Sequence, residues 1–529
     1  VTVARWLPAL LLGIVAFALV LDITDPVGPG LDPDAQAYLG SAESFALHGE
    51  FHTPTERWWS ADSTSSLSHF PPGYATAIAV PVRLGMSPMQ SARLVDAVAA
   101  FVTVVTLVLL VSDVASVLAA VLLATSLFAM SSMHEVHVSV LSEPLFLAFT
   151  ALALAEMVRR PDRPLLAGLA ATLGSLTRYA GISLVGAVAL WTFMQRGSLA
   201  IRMRRAVTSM IPAIVLQGLW LLRTRRAAGA ESIRKLALYG NLEPTLKQGA
   251  TTMRDWLIPD PDAWEGALPY RGMLTAAAGI VLALLILAGV QALRQQSTTS
   301  ASASKDMEDP HTAGRDAARL LDASALIIGC YLALLIVSRL FADPGIPLDE
   351  RIMSPVILLV GTMVAVATAI WWSFTATTLP KIAVLGALMG WWAAAASVTR
   401  NEARYALETG SDFAGEPWRK SELLEWARTE GARYPLYTNW TAVVYFYLHR
   451  PARDVPMLIE SRRLGEFVDT LRSRNGRVLS FAVPGIEYVT MDTLLQTRGL
   501  RVVAERRDGV VLAATGDDPR PARPRRAAP

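Results

Sequence analysis

The chain has 529 residues, 53% of them hydrophobic and 18% charged, with a net charge of +3 from 48 Lys+Arg against 45 Asp+Glu. Soluble domains carry about 25% charged residues, so the composition points away from a purely water-soluble protein, and the even charge balance argues against a nucleic-acid partner. The single cysteine, Cys330, excludes an intramolecular disulfide and a Cys-based zinc site.

The mean hydropathy of +0.38 is concentrated before about residue 400. Apolar runs at 5–22, 93–112, 114–132, 142–158, 164–180, 181–195, 206–222, 272–292, 319–340, 352–372 and 380–398 are each read as a span. About 20 apolar residues cross the hydrocarbon layer, which gives about eleven transmembrane helices. The expected fold class is an all-α polytopic membrane bundle over residues 1–400, followed by a C-terminal extracytoplasmic α/β domain over 401–515 and a disordered Pro/Arg-rich tail over 516–529. The first run lacks a small-residue cleavage site and reads as an anchor. Val1 hints at a prokaryotic start codon, and the expected location is a multi-pass inner membrane of bacterial type.

Basic residues orient the bundle. Arg159, Arg160 and Arg163 follow the fourth run, and Arg196, Arg202, Arg204 and Arg205 follow the sixth. By the positive-inside tendency these face the cytoplasm, as does the polar link 293–318. The N-terminus is then inside, while the first loop, 23–92, and residues 399–529 are outside. The loop 223–271 also falls outside, against the simple rule, because it carries Arg223, Arg225, Arg226, Arg234, Lys235, Lys247 and Arg254.

The outer face collects the residues that carry chemistry. The first loop contains Asp32 and Asp34 ahead of "AQAYLGSAESFALHG", which has Ala37, Leu39, Ala42, Phe45 and Ala46 at helical spacing and reads as an interfacial helix. Asp34 at its start reads as an N-cap, as a catalytic base, or as both. Next, His69 precedes Pro71-Pro72, a turn back into lipid. Glu143 opens a span just before Pro144, where a carboxylate is costly unless paired or functional. His134 and His137 share a face without forming a zinc motif. Arg178 sits inside an apolar stretch and needs a carboxylate, a carbonyl or an anion. Arg351 opens another span, next to Asp349 and Glu350, either of which offers a local salt bridge. Acids and guanidinium groups on one leaflet suit a lipid-linked phosphate donor: arginine holds phosphate, and a carboxylate deprotonates an acceptor hydroxyl.

In the C-terminal domain "RYPLYTN" and "GRVLSFAV" read as strands. "EPWRKSELLEWARTEG" and "SRRLGEFVDTLRSRNG" read as amphipathic helices ended by glycine. No Gly-rich phosphate loop occurs there.

An ordered series of short motifs runs through residues 5–400: Asp34 four residues before Tyr38; Pro71, Pro72, Gly85, Ala92 and Arg93; Glu143-Pro144-Leu145; Gly168, Leu169, Leu176, Thr177 and Arg178; Trp220 to Arg223; Arg351 and Pro355. The series resembles the C-superfamily glycosyltransferases that use lipid-linked sugars, in the branch of protein mannosyltransferases and aminoarabinose transferases. The resemblance implies inverting transfer of a sugar from a polyprenyl-phosphate donor to a hydroxyl acceptor. Asp34 would be the general base, with Glu143 a second catalytic acid facing the same cavity. Arg178, Arg223 and Arg351 would bind the donor phosphate, and Asp32, Tyr38 and His69 would complete the substrate site. Many relatives have Asp-Glu in the first loop, whereas Ala35 follows Asp34 here. No cofactor is firmly implied, and a divalent cation stays open. Two rival classes remain. A flippase of lipid-linked sugars would need the same cations, but the chain shows no internal repeat. A structural or signalling membrane protein leaves Asp34, Glu143 and Arg178 unexplained.

Overall fold

A backbone in lipid has to satisfy its own polar groups, so long apolar runs fold as helices. In the computed structural model, which describes residues 2–228, 237–240, 242–259, 268–300, 310–343, 345–485 and 487–516, each of the eleven runs is built largely of helix. Length separates them. Among the described residues six helices are long and apolar enough to cross a membrane, or up to seven if the pair Val117–Ala129 and Ser131–Val138, bent by 70°, is one span. Length and composition of the described helices therefore do not confirm the expected count of about eleven crossings. Glu143–Arg159 has 17 residues, Pro164–Thr177 has 14 and Ile182–Met194 has 13.

The chain divides into two units. The first comprises 1–29, 68–81 and 89–408 and holds the helices just named. Its core is apolar, with Leu107, Leu110, Phe146, Leu154, Val188 and Leu320 all buried. Ion pairs tie its helix ends. Asp113 accepts from Arg5 and, at 2.5 Å, from Arg159 Nη2, and Arg205 Nη2 lies 2.6 Å from Asp162. These pairs bring the N-terminal helix Thr2–Ile23 and the basic segments after the fourth and sixth runs to paired helix ends. Farther along the chain, Arg93 donates to Thr24, to the Leu21 carbonyl and to Asp25. The Pro71-Pro72 pair ends one segment, and the helix Gly73–Arg83 begins right after it.

The second unit comprises 30–67, 82–88 and the chain from 409 on. The first loop and the C-terminal region build it together, a departure from the expected boundary at 401. Strand β1 (His52–Thr53) pairs antiparallel with β3 (Ser65–Ser66). A six-stranded sheet runs in the order β2-β5-β4-β6-β8-β7. Its strands are β2 (Thr55–Glu56), β4 (Leu436–Thr438), β5 (Ala452–Asp454), β6 (Arg477–Phe481), β7 (Leu500–Arg506) and β8 (Gly509–Ala514). The first four are parallel, and β8 and β7 run antiparallel. Thus β2, supplied by the first loop, edges the C-terminal sheet. Both strands expected from the C-terminal sequence appear, as β4 and β6.

The expected helices need adjustment. "EPWRKSELLEWARTEG" forms two pieces, Glu416–Arg419 and Glu422–Arg428, because Ser421 caps the second by accepting from Leu424 N. The helix Leu464–Arg474 ends on Asn475 in the left-handed region, φ 50°, not on Gly476. The helix Pro33–His48 buries Leu39, Ala42 and Ala46 of the face expected to lie on a membrane surface and leaves Ala37 and Phe45 half-buried. It packs within its unit: Gln36 Nε2 donates to the Pro54 carbonyl, Thr441 donates to Gln36 Oε1, and Tyr445 donates to Glu43. In the link 293–318 helices run to Ser300 and from Pro310. The loop 223–271 contains the helix Glu243–Leu257. Arg234, Lys235 and the tail from 517 lie outside the described residues.

Candidate active site

Three chain segments bring Glu143, Arg178 and Arg351 together in the first unit. Glu143 begins the helix Glu143–Arg159, with Pro144 behind it. That place suits a carboxylate, because unpaired amide hydrogens and the helix dipole face it. Arg178 stands where the 164–194 stretch breaks. It leaves the helix Pro164–Thr177 in an extended conformation, and a 3-10 turn, Tyr179–Gly181, follows. The turn closes tightly: a Cβ on Gly181 would sit 2.7 Å from the Gly174 carbonyl group. Arg351 lies in the first turn of the helix Glu350–Phe374, which Asp349 caps by accepting from Ile352 N at 2.8 Å.

Glu143 is 1% exposed and its Oε1 meets both guanidinium groups. Arg351 Nε donates to it at 2.6 Å, and Arg178 Nη1 is in contact with the same oxygen. Ser142 joins the pair: it accepts from Arg178 Nη1 at 3.2 Å and donates to Glu143 Oε2 at 3.3 Å. The sequence offered Arg351 a local partner in Asp349 or Glu350, yet Asp349 serves as a cap and Arg351 reaches Glu143. One buried carboxylate is thus shared by two guanidinium groups whose side chains are 12% and 28% exposed, so their charges are only partly solvated.

A buried tyrosine, Tyr331, and an exposed one, Tyr179, stand beside the two arginines. Tyr331 is 2% exposed and donates to the Ile352 carbonyl at 2.7 Å, which fixes the backbone beside Arg351. The Tyr179 hydroxyl donates to the Ser68 carbonyl at 3.3 Å and accepts from Trp220 Nε1 at 3.2 Å. Arg223 lies over the Trp220 ring, 4.9 Å from its centre. Contacts therefore run from Arg223 through Trp220 and Tyr179 to the Arg178 corner, although Arg223 is not in the carboxylate cluster itself. It lines an open pocket of about 370 Å³ with Leu219, Leu222 and Arg226.

Of the other expected site residues, His69 is exposed in the first unit and precedes the helix Gly73–Arg83. Asp32, Asp34 and Tyr38 lie in the second unit. The cap of the helix Pro33–His48 is Asp32, which accepts from Ala35 N at 3.1 Å. Asp34 is one turn-position inside and does not serve as the N-cap. That half of its expected role passes to Asp32, because Pro33 occupies the first helical position. Tyr38 is buried at 2% exposure. The His134–His137 pair does not gather metal ligands: the His137 ring is hydrogen-bonded to the Met133 carbonyl at 2.7 Å, and no group of three His, Cys, Asp or Glu suited to a metal occurs among the described residues. Glu143, engaged by two guanidinium groups, does not fit a cation either. Tyr74, Asp96 and Tyr331 were not in the expected set. Asp96 carries a legible signal, an acid inside an apolar run; the two tyrosines carry none.

No family model matches the chain, and no curated protein does. Solved structures do. A mycobacterial arabinofuranosyltransferase, AftD, superposes with a TM-score of 0.53 at 14% identity, over 96% of this chain and 41% of its own. At this identity the likeness is one of fold alone. ArnT of Cupriavidus metallidurans matches over 97% of this chain and 98% of its own, with a TM-score of 0.47 and 15% identity. The Archaeoglobus fulgidus oligosaccharyltransferase matches over 89% and 68%, with a TM-score of 0.47 and 10% identity. The superposition on AftD takes in nearly the whole of this chain and less than half of AftD.

Proposed function

We propose that this protein is a multi-pass membrane glycosyltransferase that moves a sugar from a polyprenyl-phosphate donor to a hydroxyl acceptor on the extracytoplasmic face, with inversion. The observation that carries the reading is the Arg178–Glu143–Arg351 cluster. Arginine forks match phosphate oxygens, and guanidinium charge stabilises the leaving phosphate as the glycosidic bond breaks. Glu143 is held by both arginines, so its part in this reading is to set their spacing, and the base is Asp34. Asp34 takes the acceptor proton while the acceptor oxygen attacks the anomeric carbon and the lipid phosphate departs on the opposite side. No metal is needed for charge neutralisation in this scheme. The C-superfamily fold supports the reading, and the ordered sequence motifs add to it.

The test is turnover. Purified protein in lipid is given a panel of polyprenyl-phosphate sugars with candidate acceptors, and free polyprenyl phosphate is measured. Release that depends on acceptor supports the transferase. Movement of donor across a sealed vesicle with no release would replace it by a flippase.

A further inference from the structure

Tyr74 and Asp96 form a second buried polar pair in the first unit. Tyr74 is fully buried and Asp96 is 2% exposed. The phenol donates to the carboxyl group, 2.9 and 3.0 Å from its two oxygens. A single hydroxyl repays little of the cost of burying an acid inside an apolar helix. A buried polar pair of this kind is weak evidence of a contribution to stability.

The pair anchors something specific. Tyr74 ends a strap, residues 68–74, laid over the corner that carries Arg178. At one end of the strap the Ser68 carbonyl accepts from Tyr179. At the other, Gly73 lies against the backbone of Leu176 and Thr177, where a Cβ would sit 2.6 Å from the Leu176 carbonyl oxygen. Only glycine permits that approach. Asp96, on the helix Pro88–Val114, holds the next residue of the strap by its hydroxyl.

We infer that the Tyr74–Asp96 pair is a positioning device for Arg178: it anchors the strap that holds the Tyr179 corner and so sets the guanidinium for the donor phosphate. The inference rests on the donor-phosphate reading of the cluster. It is tested on the full chain in lipid nanodiscs, with a polyprenyl monophosphate as the probe. Tyr74→Phe and Asp96→Leu are expected to weaken binding about tenfold, the scale of one hydrogen bond to a charged group. Asp96→Asn still offers the phenol an acceptor and should restore most of what Asp96→Leu loses. The double variant Tyr74→Phe/Asp96→Leu replaces the pair by apolar groups and should fold, so weak binding there is not loss of fold. In an Arg178→Gln background Tyr74→Phe should cost nothing further. Full affinity in Tyr74→Phe, or an equal loss in both backgrounds, overturns the inference. If the wild-type protein binds no polyprenyl phosphate, the donor reading fails instead. The positioning role is then decided by thermal unfolding of Tyr74→Phe, Arg178→Gln and their combination: sub-additive melting shifts support it and additive shifts reject it.

Discussion

Arg351 Nε donates to Oε1 of Glu143 at 2.6 Å, across 208 positions of sequence, and the same oxygen meets Arg178. Two helix starts and one helix break are thereby locked to a single buried carboxylate. Removing that carboxylate takes a shared acceptor from two partly buried cations, whereas removing one arginine leaves the other in place. Glu143→Ala should therefore destabilise the protein by about 3–5 kcal/mol, the usual cost of breaking a buried pair from one side. Glu143→Gln keeps an oxygen acceptor and should cost less. Thermal unfolding in detergent reads both, and a Glu143→Ala protein that melts with the wild type would reject the clamp.

Arg351→Lys keeps the charge and loses the planar fork. The donor KM should rise by about tenfold, the loss of one charge-assisted hydrogen bond, with a smaller change in kcat. Donor titration in the turnover assay gives the split. An unchanged KM removes Arg351 from the donor site.

Asp34→Asn should lower kcat by at least about 100-fold, within the range for a positioned acid–base group, while donor binding persists. Asp32→Ala acts differently. It deletes the cap on Ala35 N and should cost about 0.5–2 kcal/mol of stability, with a far smaller loss of rate. Single-turnover rates beside melting curves separate the two. A larger rate loss at Asp32 would reverse the assignment.

The Asp113 cluster and the Arg205–Asp162 pair join basic helix ends, which the positive-inside tendency puts in the cytoplasm. In a Cys330→Ser background, Gly415→Cys should label in intact cells, and Asp162→Cys only after permeabilisation. The reverse pattern inverts the topology and moves the second unit to the cytoplasm.

Asp454 gives the second unit a pH dependence. Burial pushes its carboxyl up to about 7, although Arg57, 3.1 Å away, and the Trp58 amide pull the other way. An unfolded aspartate releases its proton near pH 4. The folded unit thus holds an extra proton between those values. The stability linked to it is full below about pH 4 and is lost as pH rises through about 7. The melting temperature should fall from pH 5 to pH 8, and Asp454→Asn should flatten that slope. A slope that survives in Asp454→Asn would assign it to another group.

The sequence by itself determined the helical membrane part, because a long unbroken apolar run satisfies its own backbone in lipid as a helix, whereas barrel strands alternate. It also determined β4, β6 and the residues worth watching, since Glu143, Arg178 and Arg351 are charges set in or beside apolar runs, and such charges need partners. Which partners they take was decided only by the tertiary structure. Arg351 had two acids beside it in the chain and pairs with one far away, because its helix start faces the start of another helix. Asp32 rather than Asp34 became the cap because Pro33 fixes where the helix begins. The two-residue strand β2 was beyond reach from sequence, since so short a segment has no period of its own and exists only through its pairing with β5. The same holds for Tyr74, whose single hydroxyl acquires a meaning only where Asp96 lies within hydrogen-bond reach.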